Sequence, residues 1–147
     1  MRIHIATDHA GLELSHYLIE ELTKAGHDVF DHGPKEYDPL DDYPGFCIHA
    51  AIAVREDELA GVMALGIVLG GSGNGEQMAA NKVKGIRAAL VWSEATAKLA
   101  REHNNANVIC LPARFVSFEE ALSMVEIFLA TAFEGGRHAI RVDKIPV

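Results

Sequence analysis

Apolar positions along this chain switch repeatedly between a period of two and a period near 3.6. Five short runs of aliphatic and β-branched residues read as strands: Arg2–Ala6, Asp28–Asp31, Gly61–Leu69, Ile86–Trp92 and Asn107–Leu111. Helical patterns separate them. Leu14, Leu18, Leu22 and Ala25 form one stripe, and Gly26 suits the left-handed residue that ends a helix. A second helix is expected from about Pro44 to Glu58, with Pro44 in its first turn. A third follows the glycine-rich segment after the third strand. A fourth starts at Ser93 as N-cap and runs toward His103. The fifth opens with a capping box, Ser117-Phe118-Glu119-Glu120, and lines up Ala121, Leu122, Val125, Phe128 and Leu129 on one face.

Strict alternation of strand and helix predicts an α/β fold, a three-layer α/β/α sandwich around a five-stranded parallel sheet. We expect a Rossmann-like strand order that begins 2-1-3 and leaves the last two strands open. The chain, residues 1–147, reads as a single domain with no repeat or linker. In such folds the ligand sits at the carboxyl ends of the strands.

That rule directs attention to Leu69-Gly70-Gly71-Ser72-Gly73-Asn74-Gly75-Glu76-Gln77, where an apolar strand runs into a glycine loop and then a helix. The backbone N–H groups of Gly71 to Gly75 can converge on an anion. Glu76 stands at the exit as a potential base. Together these are the parts needed to remove a proton beside a carbonyl and hold an enediolate. A plain tight turn is the competing reading. The spacing is not that of a nucleotide loop, and a mononucleotide-binding flavodoxin-like protein would need its phosphate loop after the first strand. The first strand instead ends in Thr7-Asp8-His9. Asp8 either serves a site or caps the next helix. His103 either serves a site or complements a helix C-terminus. Convergence of these polar groups at one rim is the expectation that favours a site. The polar loop 33–43, with four acidic residues, is expected at the surface and could border it. In the tail, Arg137 and Arg141 stand at i,i+4, a spacing suited to a shared anion or to two solvated cations.

Composition narrows the partners. The formal net charge of −8 opposes general nucleic-acid binding. No apolar run reaches membrane-spanning length. Met1-Arg2 leads directly into a strand-like segment, and Cys47 and Cys110 lack metal or redox spacing, so free thiols and a cytoplasmic location are expected. Eight histidines form no His-x-x-x-His or His-Glu-x-x-His pattern, and no metal site is expected.

Seven segments together resemble one family. They are Thr7-Asp8-His9-Ala10-Gly11, Asp42-Tyr43-Pro44, Gly71-Ser72-Gly73, Ala79-Ala80-Asn81-Lys82, Gly85-Ile86-Arg87-Ala88, Arg101-Glu102-His103-Asn104 and Gly135-Gly136-Arg137-His138-Ala139-Ile140-Arg141-Val142. In this order they resemble ribose-5-phosphate isomerase type B and its relatives acting on galactose 6-phosphate and allose 6-phosphate. Many members carry a cysteine base where this chain has Gly70; the chain resembles the branch with a glutamate base, here Glu76. The resemblance implies interconversion of ribose 5-phosphate and ribulose 5-phosphate, a step of the pentose phosphate pathway, through an enediolate and without metal or organic cofactor. Asp8 and His103 would open the furanose ring, Glu76 would carry the C2 proton, Ser72 would shuttle a proton between O1 and O2, and the loop amides of Gly71, Ser72, Gly73, Asn74 and Gly75 would hold the enediolate. Tyr43 and Asn104 would contact the sugar. His9, Arg114, Arg137 and Arg141 would bind its phosphate. The resemblance also implies a homodimer, or a dimer of dimers, with shared sites and the tail 134–147 reaching a neighbour. A six-carbon sugar phosphate, or a non-catalytic phosphosugar-binding module, remains the alternative.

Overall fold

A computed structural model describes residues 1–145. Among them the chain order is β1 (Arg2–Thr7), a single 3-10 turn (His9–Gly11), α1 (Leu12–Lys24), β2 (Asp28–Asp31), α2 (Tyr43–Leu59), β3 (Ala64–Gly70), α3 (Asn74–Ala80), β4 (Ala88–Leu90), α4 (Glu94–Asn104), β5 (Val108–Pro112), α5 (Phe118–Ala130) and α6 (Arg137–Val142). The strands form one parallel sheet in the order β2-β1-β3-β5-β4. The expected 2-1-3 start is met, and the last two strands cross over.

Side-chain alternation builds a core on each face. Ile3 and Ile5, Leu65, Ile67 and Leu69, and Ile109 and Leu111 pack with α1, α4 and α5. Ala6, Val68, Val108 and Cys110 face α2 and α3. Each fully buried aliphatic side chain contributes roughly 1.5–3 kcal/mol, which is what holds the three layers together. His4 shares the second face, where Asp57 of α2 sits 3.0 Å from its Nε2 and 2.7 Å from the Arg2 guanidinium. That network ties α2 to β1.

The caps follow the sequence. Ser93 and Ser117 both form capping boxes, Pro44 lies in the first turn of α2, and Gly26 takes a positive φ after α1. Two strands are shorter or later than expected. Gly61, at φ +75°, ends α2, and Val62 N–H bonds back to the Asp57 carbonyl at 2.8 Å, so β3 starts only at Ala64. β4 is confined to Ala88–Leu90, because it is an edge strand with a single neighbour and the residues before it form the turn after α3.

Candidate active site

The carboxyl ends of β1 and β3 are neighbours in the sheet, with Thr7 in register with Leu69. This places Asp8 and His9 beside the glycine loop. Asp8 is buried, and its carboxylate accepts the Ala10 N–H at 2.9 Å, so it is both a cap and a rim residue. The loop after β3 is pinned by its carbonyls. Gly70 and Gly71 accept the N–H groups of Ala113 and Arg114, and Gly73 accepts the Cys110 thiol at 3.0 Å. Those carbonyls are held by protein donors, and the loop leads directly into the first turn of α3, where the Glu76 N–H acts on its own carboxylate. Ser72 is exposed, and its hydroxyl accepts the Asn74 N–H at 3.3 Å.

Glu76 lies in the first turn of α3 yet is only 4% exposed. Its carboxylate occupies the volume into which a side chain on Gly70 would project. The missing Cβ therefore makes the seat for the acid. Burial raises the Glu76 pKa above the ordinary value; its own backbone N–H opposes this, and the charge of Asp8 adds to it. Tyr43, at the start of α2, lays its hydroxyl against Gly75, and the Arg114 guanidinium covers Gly71. Both cysteines are buried and free, and burial pushes both thiols up, so neither is a ready nucleophile.

Sequence reasoning missed Asp41. This residue of the polar loop holds His9 twice: its Oδ1 accepts the His9 backbone N–H at 3.0 Å and lies 2.7 Å from the ring Nδ1. The acid-rich composition of loop 33–43 was the available signal.

Convergence at one rim does not hold within a single chain. His103 and Asn104 end α4, which descends from the carboxyl end of β4 to the start of β5. They lie at the amino edge of the sheet, and a five-residue strand separates the two edges by about 16 Å. The tail is there too. Glu134 N–H bonds to the Glu102 carbonyl, and His138 of α6 stacks on His103 with ring centroids 4.1 Å apart and planes at 11°. Arg137 and Arg141 are exposed, and among the described residues neither forms an ion pair. Pro146 and Val147, the last residues of the expected tail, lie outside the described residues. Asp8, His9, Tyr43, Ser72, Glu76 and Arg114 thus gather at one edge, and His103, Asn104, Arg137 and Arg141 at the other.

Two groups among the described residues bring three metal-ligating atoms within 4.8 Å: Asp8, His9 and Asp41, and His103, Glu134 and His138. In the first, His9 Nδ1 is already engaged by Asp41. In the second, stacked rings keep their in-plane lone pairs nearly parallel, so they do not converge on one ion.

Residues 3–145 match the sequence family described as ribose/galactose isomerase. Ribose-5-phosphate isomerase B of Mycobacterium tuberculosis is 51% identical over 144 residues, which are 97% of this chain and 86% of that one. A probable ribose-5-phosphate isomerase B of Mycoplasma pneumoniae is 50% identical over 97% of this chain and 91% of its own. Among solved structures, ribose-5-phosphate isomerase B of Mycoplasma genitalium with bound ribulose 5-phosphate superposes at a TM-score of 0.93, with 49% identity, covering 98% of this chain and 93% of that one.

Proposed function

The chain belongs to the ribose/galactose isomerase family; it is an aldose–ketose isomerase, and we propose that it interconverts ribose 5-phosphate and ribulose 5-phosphate through an enediolate with Glu76 as the base. One observation carries the assignment of the base: a buried carboxylate sits beside the glycine loop, in a seat that exists because residue 70 has no side chain. Burial and the charge of Asp8 raise the Glu76 pKa, so its carboxylate is a stronger base than a free one.

In this reading Glu76 takes the C2 proton of the open-chain aldose and delivers it to C1. The loop amides bear the negative charge that develops on oxygen. Ser72, exposed at the loop's tip, moves a proton between O1 and O2. His9 and Arg114 receive the phosphate, and Tyr43 flanks the sugar. Asp8 assists ring opening as one member of a pair.

The other member, His103, comes from a neighbouring copy, together with Asn104, Arg137 and Arg141. The protein then works as a homodimer or a dimer of dimers with shared sites. Support comes from the amino-edge location of all four residues and from the free outer edge of β4, which borders a groove of about 450 Å³ lined by Gln77, Asn81, Leu90, Asn104 and Ile145. Exposed Met78 and Ile140 add apolar surface of the kind that copies bury against one another.

A coupled isomerase assay comparing ribose 5-phosphate with allose 6-phosphate and galactose 6-phosphate tests the substrate. Turnover should be highest with the pentose phosphate. A preference for either hexose phosphate, or no turnover with any of the three, would overturn the reading.

A further inference from the structure

We propose that Asp41 is a positioning residue for substrate capture, which locks the His9 ring with its Nδ1–H on the Asp41 carboxylate and its Nε2–H turned to the substrate phosphate. This deepens the reading of the site as a phosphosugar site and rests on it.

Three observations carry it. The same oxygen, Asp41 Oδ1, contacts both the backbone N–H and the ring Nδ1 of His9, at 3.0 and 2.7 Å. Two contacts to one oxygen fix the main chain and χ angles of His9 together. A carboxylate is a pure acceptor, so Nδ1 must carry a proton whichever charge state the ring takes. Only Nε2 is left to meet a ligand. Finally, the Asp41 side chain is only 9% exposed, and its Oδ2 is buried without a hydrogen-bond partner among the described residues. A buried carboxylate with a spare oxygen is costly as a mere loop tether, which suggests a second demand on it.

The electrostatics agree. The hydrogen bond to Asp41 is the largest influence on His9 and raises its pKa; desolvation opposes this, the charges of Asp8 and Asp41 add to it, and Arg114 opposes it. Asp8 Oδ2 is 3.9 Å from Nδ1, and the Tyr37 ring meets the imidazole edge-on. Glu13 and His16 of α1 line the adjoining cavity of about 400 Å³. A ring aimed by Asp41 and biased toward its cationic form suits a phosphate dianion, and the charge of Arg114 is felt at the same ring.

The test is Asp41→Asn in the full chain. Steady-state kinetics should show KM for ribose 5-phosphate rising about ten- to a hundredfold, while kcat at saturation falls far less. Binding of inorganic phosphate, measured by calorimetry across pH, should weaken in parallel. In the unsubstituted protein that binding is lost as pH rises through the His9 pKa; in Asp41→Asn the loss moves to lower pH. Combining Asp41→Asn with His9→Asn should cost little more than His9→Asn alone. A kcat that drops as far as KM rises, an unmoved pH limb, or additive effects in the double variant would overturn the proposal and leave Asp41 as a loop tether. Should Asp41→Asn not fold, nitrogen NMR of the unsubstituted protein decides: His9 Nδ1 must be protonated on both sides of the ring's titration, and an unprotonated Nδ1 at high pH overturns the idea. Phosphate binding with these properties in a protein without isomerase turnover would sink the proposed reaction and leave this inference standing.

Discussion

The carboxyl edge of the sheet and its amino edge carry the same types of residue in opposite states. At the carboxyl edge, Glu76 is buried in a vacancy made by Gly70, His9 is held by Asp41, and Tyr43 and Arg114 lie against the glycine loop. Each of these side chains is placed by a partner or a glycine of its own chain. At the amino edge, Arg137 and Arg141 project into solvent from a six-residue helix, and the tail's main internal contact is the stack of His138 on His103. One edge is organised by contacts within the chain, and the other leaves its two arginines exposed and, among the described residues, without an ion pair. An organised half and a presented half are what a site completed between copies requires.

The sharpest way to break this contrast is at Glu76. Glu76→Gln keeps the shape and removes the base, so kcat should fall roughly a hundredfold to ten-thousandfold. Affinity for inorganic phosphate should change far less, and solvent deuterium should no longer enter the substrate at C2. Gly70→Cys should also be severe. Its Cβ would meet the Glu76 carboxylate and drive it from its seat, for a loss of at least about tenfold. Near-normal turnover in Glu76→Gln, with Cys47→Ser or Cys110→Ser inactive, would show that the organised edge is built around the wrong base.

A second experiment separates the halves. Chains carrying Arg137→Ala are mixed, after unfolding, with chains carrying Glu76→Gln. If copies share sites, each hybrid dimer has one intact site, and random pairing recovers about a quarter of full activity. Verified hybrids without recovery would mean that each chain serves itself and that the amino-edge residues have no role in a neighbour.

The two halves also differ in how far they can be read from sequence. The sheet is legible because period-two apolar runs and helix caps are local signals, and Ser93, Ser117, Pro44 and Gly26 all act where local chemistry puts them. Glu76 is legible as a candidate because it adjoins the glycine loop in sequence. Asp41 is not, because its partner His9 lies 32 residues away and only the closed loop brings them together. The stack of His138 on His103 spans a similar gap. The expected single rim fails for a related reason. A helix 11 residues long reverses the chain and carries His103 about 16 Å away from the edge where β4 ended. Apolar Val62 and Met63 extended the expected third strand because hydropathy does not report that Gly61 caps a helix there.

The smallest effect concerns stability, and it follows from the pKa of Glu76. In the unfolded chain this carboxyl titrates near 4.5, and in the folded chain higher, because burial disfavours the charge. The folded state therefore holds the proton more tightly, and between the two values stability falls as pH rises. The full cost is present above the folded pKa and vanishes below the unfolded one. Glu76→Gln should thus raise Tm at about pH 7.5, and the gain should shrink as pH is lowered toward about 4.5. Arg137→Ala, at an exposed position, should change stability by less than about 0.5 kcal/mol at either pH. Thermal unfolding of both variants beside the unsubstituted protein checks the pair. If Glu76→Gln gave no gain at neutral pH, the carboxylate would not be stored at a cost, and the energetic side of the contrast between the two edges would fall.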